Sequence, residues 1–252
     1  MAKLKKIELP KKFEYTEGVT NPLYKKYSGW EKISYSQVTS FKDESYRGDY
    51  FAKYFAKMQD KGNIFATYGK IVGEFIESDG EMCDEYFSAE DIKILKGIER
   101  PVNAVYEFET IIDLEPFGLE KTCMQGFTDR QYEITSKNLV VEDFKTLNLE
   151  KKKEFYESDE YNQLLTYGFA LEEIGYSIHH AGVIGLGRKG NTMDTTAYSR
   201  AGNPLWLRLS GEIEEINSPY NREEAVKFLE TVTLTCLEIS DYYKLYKKIF
   251  EK

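Results

Sequence analysis

The chain has 252 residues and a formal net charge of −9, from 43 acidic and 34 basic side chains. That length supports one substantial core, and that charge excludes a histone-like basic coat while leaving room for a local basic groove. No apolar run approaches the ~20 residues of a bilayer span, and Cys83, Cys123 and Cys236 lack disulfide or metal-ligand spacing, so a cytoplasmic protein with free thiols and no membrane contact is expected.

The opening "MAKLKKIELPKKF" carries charge but no apolar core of a signal peptide. Residues 1–33 read as a basic N-terminal arm, and residues 34–252 as a single domain. From Ser34 to Glu77 the aromatic and apolar spacing of "DYFAKYFAKM" and "IFATYGKIVGEFIE" predicts helices. Tyr35, Tyr46, Tyr50 and Tyr54 on these segments suit helix packing better than base stacking. Glu77 to Asp91 contains no Lys or Arg, so residues 78–102 read as an acidic loop with a short helix, unsuited to phosphate.

The period then changes. In "VYEFETIID", Tyr106, Phe108, Thr110 and Ile112 alternate with Glu107 and Glu109, which predicts a half-buried strand. "KTCMQGFTDRQYEI" and "NLVVEDFKT" predict two more, joined by the turn-like "TSKN", and the short spacing implies an antiparallel meander. "EYNQLLTYGFALEEIG" returns to helical spacing and stops at Gly175. "HAGVIGLGRKG" is expected as a fourth strand ending in a turn, with Arg188 or Lys189 available to a DNA backbone, and "NPLWLRLS" as a fifth. A last helix starts at Ser218–Pro219 or at an Asn221/Glu224 capping box, and is expected to pack a stripe of Ala225, Leu229, Val232, Cys236, Ile239, Tyr243, Tyr246 and Phe250. Helices, then strands, then a helix and further strands give an α/β fold with a mixed central sheet flanked by helices.

One strand raises a question. "LVVEDFKTLN" places Glu142, Asp143 and Lys145 on an apolar stretch, where charge is costly unless compensated. Alternation directs Asp143 and Lys145 to one face and Glu142 and Phe144 to the other. A meander brings Asp129 of the preceding strand beside Asp143, and two close carboxylates repel unless a divalent cation relieves them. Oxygen ligands of this type suit Mg²⁺ or Mn²⁺. A lysine alongside can orient or help deprotonate a water and stabilise a phosphorane-like transition state. A structural ion pair is the alternative. The pattern (D/E)-x-K is uninformative by itself, because Asp91–Lys93 and Glu150–Lys152 also match it, but only Asp143–Lys145 lies on an apolar strand.

In this order, "ISYSQVTSF", "YGKIVGEFIE", "GFTDR", "VVEDFKT" and "YNQLLTYGFAL" resemble the motifs of the PD-(D/E)XK nucleases, in the RecB-like and phage-type exonuclease branch. The resemblance covers Ser34 to Arg188 and implies a restriction-endonuclease-like core. It implies Asp129 and Asp143 as metal-binding acids, Lys145 as the catalytic lysine, and the main-chain carbonyl of Phe144 as a further ligand. Gln163 and Tyr167, one helical turn apart, match residues that support the site and contact DNA. Gly73 stands where many members carry a histidine, so Glu74 is the expected third ligand, with Glu77 and Glu107 behind it. No cysteine quartet for an iron–sulfur cluster is present, and none is expected. The implied activity is Mg²⁺- or Mn²⁺-dependent DNA hydrolysis, of the exonuclease kind, in end processing, recombination or repair. The implied partners are DNA, a recombination or helicase protein, and further copies of the chain, with a phage enzyme as one setting. The second reading is a nuclease-derived DNA-binding or assembly module that no longer cuts.

Overall fold

The computed structural model describes residues 22–44, 47–58, 64–151, 159–190, 197–198, 204–205 and 207–250. Most of the basic arm, Tyr46, Lys152 and Lys153 therefore lie outside the described residues. Glu31–Ser34, at the boundary drawn for that arm, is strand β1. Ser34 then caps helix α1, Tyr35–Lys42: its hydroxyl accepts from the Gln37 N–H at 3.2 Å, and the Gln37 side chain accepts from the Ser34 N–H at 2.6 Å. This reciprocal box satisfies two donors that the helix start would otherwise leave unpaired.

Helix α2, Arg47–Tyr50, runs into a wider turn over Phe51–Phe55. Helices α3, Ile64–Glu77, and α4, Ala89–Lys96, follow. Asp91 of α4 is buried, and its carboxylate accepts the Leu209 N–H at 2.9 Å, which ties α4 to the last long strand. The strands are β2, Val105–Asp113; β3, Thr122–Thr135; β4, Asn138–Leu147; β5, Ser177–Lys189; the short β6, Ala197–Tyr198, and β7, Pro204–Leu205; and β8, Arg208–Ser218. Helix α5, Asp159–Glu173, links β4 to β5, and α6, Arg222–Phe250, closes the fold.

β2, β3 and β4 form the expected antiparallel meander. β4 and β5 pair in parallel, as their helical connection requires, and β8 returns antiparallel to β5. One edge of β3 carries β2 from Cys123 to Gln131. The opposite edge is shared: β1 pairs with Thr122 to Gln125 in parallel, and β4 with Arg130 to Thr135. The result is a mixed six-stranded sheet.

Alternation assigns its two faces. Leu139, Val141 and Val183 pack with Leu164, Tyr167 and Leu171 of α5. Phe144, Ile184 and Leu186 pack on the other face with Val72, Phe75 and Leu95 of α3 and α4. A third apolar cluster joins α1, α2 and α6, and there the Ala225–Leu229–Val232–Cys236–Ile239 stripe is buried. Asn221 accepts the N–H groups of Glu223 and Glu224 at 2.9 and 3.3 Å, so it caps α6. Gly175 ends α5 at φ +96°, a conformation that suits glycine.

The structure corrects two strand readings. Glu109 is fully buried rather than facing solvent, because Lys32 of β1 lies 3.3 Å from its carboxylate and Gln125 donates to it at 2.6 Å. The last long strand starts at Arg208 and runs to Ser218, where the sequence suggested 203–210. Its acidic residues Glu212, Glu214 and Glu215 belong to a sheet edge, where alternation leaves room for charge.

Candidate active site

The site lies where β3 and β4 part. Arg130 pairs with Glu142, and beyond that rung β4 continues beside β5 alone. Asp129 and Asp143 are the first residues past the last shared rung. The Asp129 carboxylate spans the gap and accepts the Phe144 N–H at 2.7 Å. In an extended strand the N–H and C=O of one residue point to the same edge, so the Phe144 carbonyl also faces the gap. Lys145 Nζ lies 2.7 Å from Asp143 Oδ2, with Asp143 almost fully buried and Lys145 28% exposed. The expected sharing of a face by these two residues is therefore present, and Lys145 supplies the local compensation for Asp143.

Glu142 points to the other face, where its carboxylate meets Arg130 Nε at 2.6 Å with both groups buried. The guanidinium also donates to the Glu99 carbonyl and lies 5.1 Å from the Phe144 ring centre. The arginine is thus committed to Glu142 and leaves both aspartates open to the gap.

Among the described residues Asp129 has no equivalent partner. Burial, together with the nearby Asp143 carboxylate, pushes its pKa well above the ordinary carboxylate range, while Lys145 and the Phe144 N–H act in the opposite direction. Glu107 adds to the same repulsion. In register Glu107 falls between Tyr106↔Arg130 and Phe108↔Thr128, opposite Asp129. Its φ of +50° is left-handed, which an acidic residue inside a strand adopts only under outside constraint.

Tyr167 of α5 is buried on this side of the sheet and hydrogen-bonded to Gln163. Burial and the carboxylates of Asp143, Asp129 and Glu107 push its phenol well above its usual pKa. The ring needs the glycine of "QGFTD": a Cβ on Gly126 would stand 2.6 Å from Tyr167 Cε1. Gly126 is thus the residue that lets α5 approach β3 here.

The structure groups Asp129, Phe144, Asp143, Lys145, Gln163 and Tyr167. Glu74 is placed elsewhere. Gly69 of α3 packs against Thr146, and Thr146 alternates with Lys145, so α3 covers the opposite face of β4. Glu74 lies five residues from Gly69, turned away from that contact. Its carboxylate accepts the Cys83 thiol at 3.1 Å and lies 3.7 Å from Lys70 Nζ. Glu77 lies closer to the sheet side, with its carboxylate 3.4 Å from where a Cβ on Gly73 would stand. Tyr35 and Tyr50 are buried among helices.

Among the described residues, no three Asp, Glu, His or Cys side chains gather closely enough to hold an ion among them. Two carboxylates and a main-chain oxygen directed into one gap still fit Mg²⁺ or Mn²⁺, because such ions take one or two protein carboxylates and complete their shell with water and phosphate oxygens. No helix among the described residues is long and apolar enough to cross a membrane.

No protein-family model matches the chain, and no curated protein matches it. Among solved structures, a candidate exonuclease from Eubacterium rectale superposes with a TM-score of 0.54 at 13% identity, over 92% of this chain and 88% of that one. A phage-related exonuclease from Haemophilus somnus gives 0.46 at 13% identity, over 88% and 96%. An alkaline exonuclease from Laribacter hongkongensis gives 0.45 at 11% identity, over 86% and 92%. By its mixed sheet, its flanking helices and the likeness to the Eubacterium rectale structure, the chain has a restriction-endonuclease-like fold.

Proposed function

We propose that the protein is a Mg²⁺- or Mn²⁺-dependent DNA nuclease of the exonuclease kind. The observation that carries this reading is the parting of β3 and β4, which sets Asp129 beside Asp143 with Lys145 at 2.7 Å from the latter. Asp129, Asp143 and the Phe144 carbonyl would hold the ion, and Glu107 is the nearest further acid. The bound ion would polarise the scissile phosphate and acidify a water. Lys145, released from Asp143 once that carboxylate has a cation, would orient the attacking water and offset charge on the phosphate oxygens. Tyr167 and Gln163 hold the α5 side of the site and would steady Lys145 and the scissile strand. Processing of DNA ends in recombination or repair, with a separate recombination or helicase protein and as a homo-oligomer, suits this reading, and a phage enzyme would fit it.

The test is cleavage of linear and circular DNA by the purified protein, with Mg²⁺ or Mn²⁺ and with EDTA. Linear DNA should be degraded, circular DNA spared, and EDTA should stop the reaction. Asp143→Ala and Lys145→Ala should each lower the rate by ~10²–10⁴-fold with an unchanged circular dichroism spectrum. Cleavage that persists in EDTA, or in both variants, would overturn the assignment.

A further inference from the structure

Away from the two aspartates, a pocket of about 480 Å³ opens where β4 and β5 end and β8 begins. Arg188, Lys189, Asn148 and Ser210 line it, and Phe65 of α3 forms one wall. The Arg188 guanidinium stacks 4.0 Å from the Phe65 ring centre, which fixes its plane. Its Nε and Nη1 atoms are buried and have no hydrogen-bond partner. Glu150 and Glu212 also border the pocket, yet among the described residues neither forms an ion pair with this guanidinium, and burial lowers its pKa.

A half-buried cation with two unused donors is costly, and folding keeps such groups where an anion completes them. A guanidinium presents its N–H groups as a fork matched to the paired oxygens of a phosphate. The opening is also built: a Cβ on Gly187 would stand 2.2 Å from the Ser210 hydroxyl, so this glycine keeps that hydroxyl in place. Leu147 pairs with Gly187, which puts Arg188 beside Asn148 at the end of β4, and the Phe65 contact sets its guanidinium on the α3 face of the sheet, opposite to Lys145.

We infer that this pocket is a phosphate subsite, in which Arg188, with Lys189 and Ser210, grips a backbone phosphodiester of the bound nucleic acid. The inference rests on the nuclease reading for the identity of the ligand, and on the pocket alone for its charge and shape.

Binding of a single-stranded oligodeoxynucleotide, measured in EDTA so that nothing is cut, tests it, with inorganic phosphate as the second probe. Arg188→Gln should weaken oligonucleotide binding about 5–10-fold at low salt and reduce the slope of log affinity against log salt by about 0.7. Lys189→Ser, at an exposed position, should act in the same direction and keeps the test open if Arg188→Gln does not fold. Wild-type affinity and salt slope in both variants would overturn the subsite. So would loss of inorganic phosphate binding with oligonucleotide binding intact, since the pocket would then serve the free ion. Arg188-dependent oligonucleotide binding by a protein that cleaves nothing would support the subsite and overturn only the nuclease reading.

Discussion

Asp129 is held where its own charge is disfavoured. Its folded pKa is raised, so between the unfolded value of ~3.9 and the folded one the native state binds more protons than the unfolded chain. Stability without metal therefore falls as pH rises through that window, and the penalty is fully present above it. Asp129→Asn keeps an acceptor for the Phe144 N–H and removes the charge. In EDTA at pH 7 this variant should melt higher than wild type, by ~2–4 °C for each kcal/mol relieved, with the difference vanishing near pH 4. An equal or lower melting temperature at pH 7 would show that the carboxylate is already compensated. Residues whose placement follows from backbone period were readable from sequence: Asp143 with Lys145 on a strand, and Gln163 with Tyr167 on a helix turn. Glu74 was not, because its direction depends on which side of α3 meets β4. Nor was the position of Glu107, which a left-handed residue inside β2 sets.

At the level of elements, the Arg130–Glu142 pair fastens β3 to β4 at the last rung before they separate. A buried pair of this kind adds little net stability when intact, but removing one partner strands the other charge. Arg130→Ala should cost ~3–5 kcal/mol in denaturant unfolding, whereas a loss below 1 kcal/mol would mean that Glu142 finds water or another donor. The meander was legible because its strands are neighbours in sequence, with alternating patterns and a short turn. β1 was not: four residues pair in parallel with a segment some ninety positions away, and no local pattern encodes that. β8 was misplaced because Glu212, Glu214 and Glu215 interrupt the apolar pattern of a strand, while they occupy the outer strand of the sheet.

Over the whole molecule, a net charge of −9 is compatible with a DNA partner only if acid and base are kept apart. The separation is partial: Glu74, Glu81 and Glu85 border a groove on the α3 side with Lys70 among them, while Lys145 stands at the fork and Arg188 with Lys189 shares the pocket at the strand ends with Glu150 and Glu212. The layered architecture was legible from element order. The convergence of segments that makes the fork was not, since it depends on β3 being longer than either strand on its shared edge.

That sharing has a consequence for self-association. β1 is the only cover among the described residues for the Thr122–Gln125 stretch of that edge, and it also supplies the cation for buried Glu109. A chain shortened to begin at Tyr35 would present bare peptide groups as a template for strand addition by another copy. It should form large species in static light scattering under conditions where the intact chain stays dispersed. Equal dispersity of the two would show that β1 is dispensable as a guard.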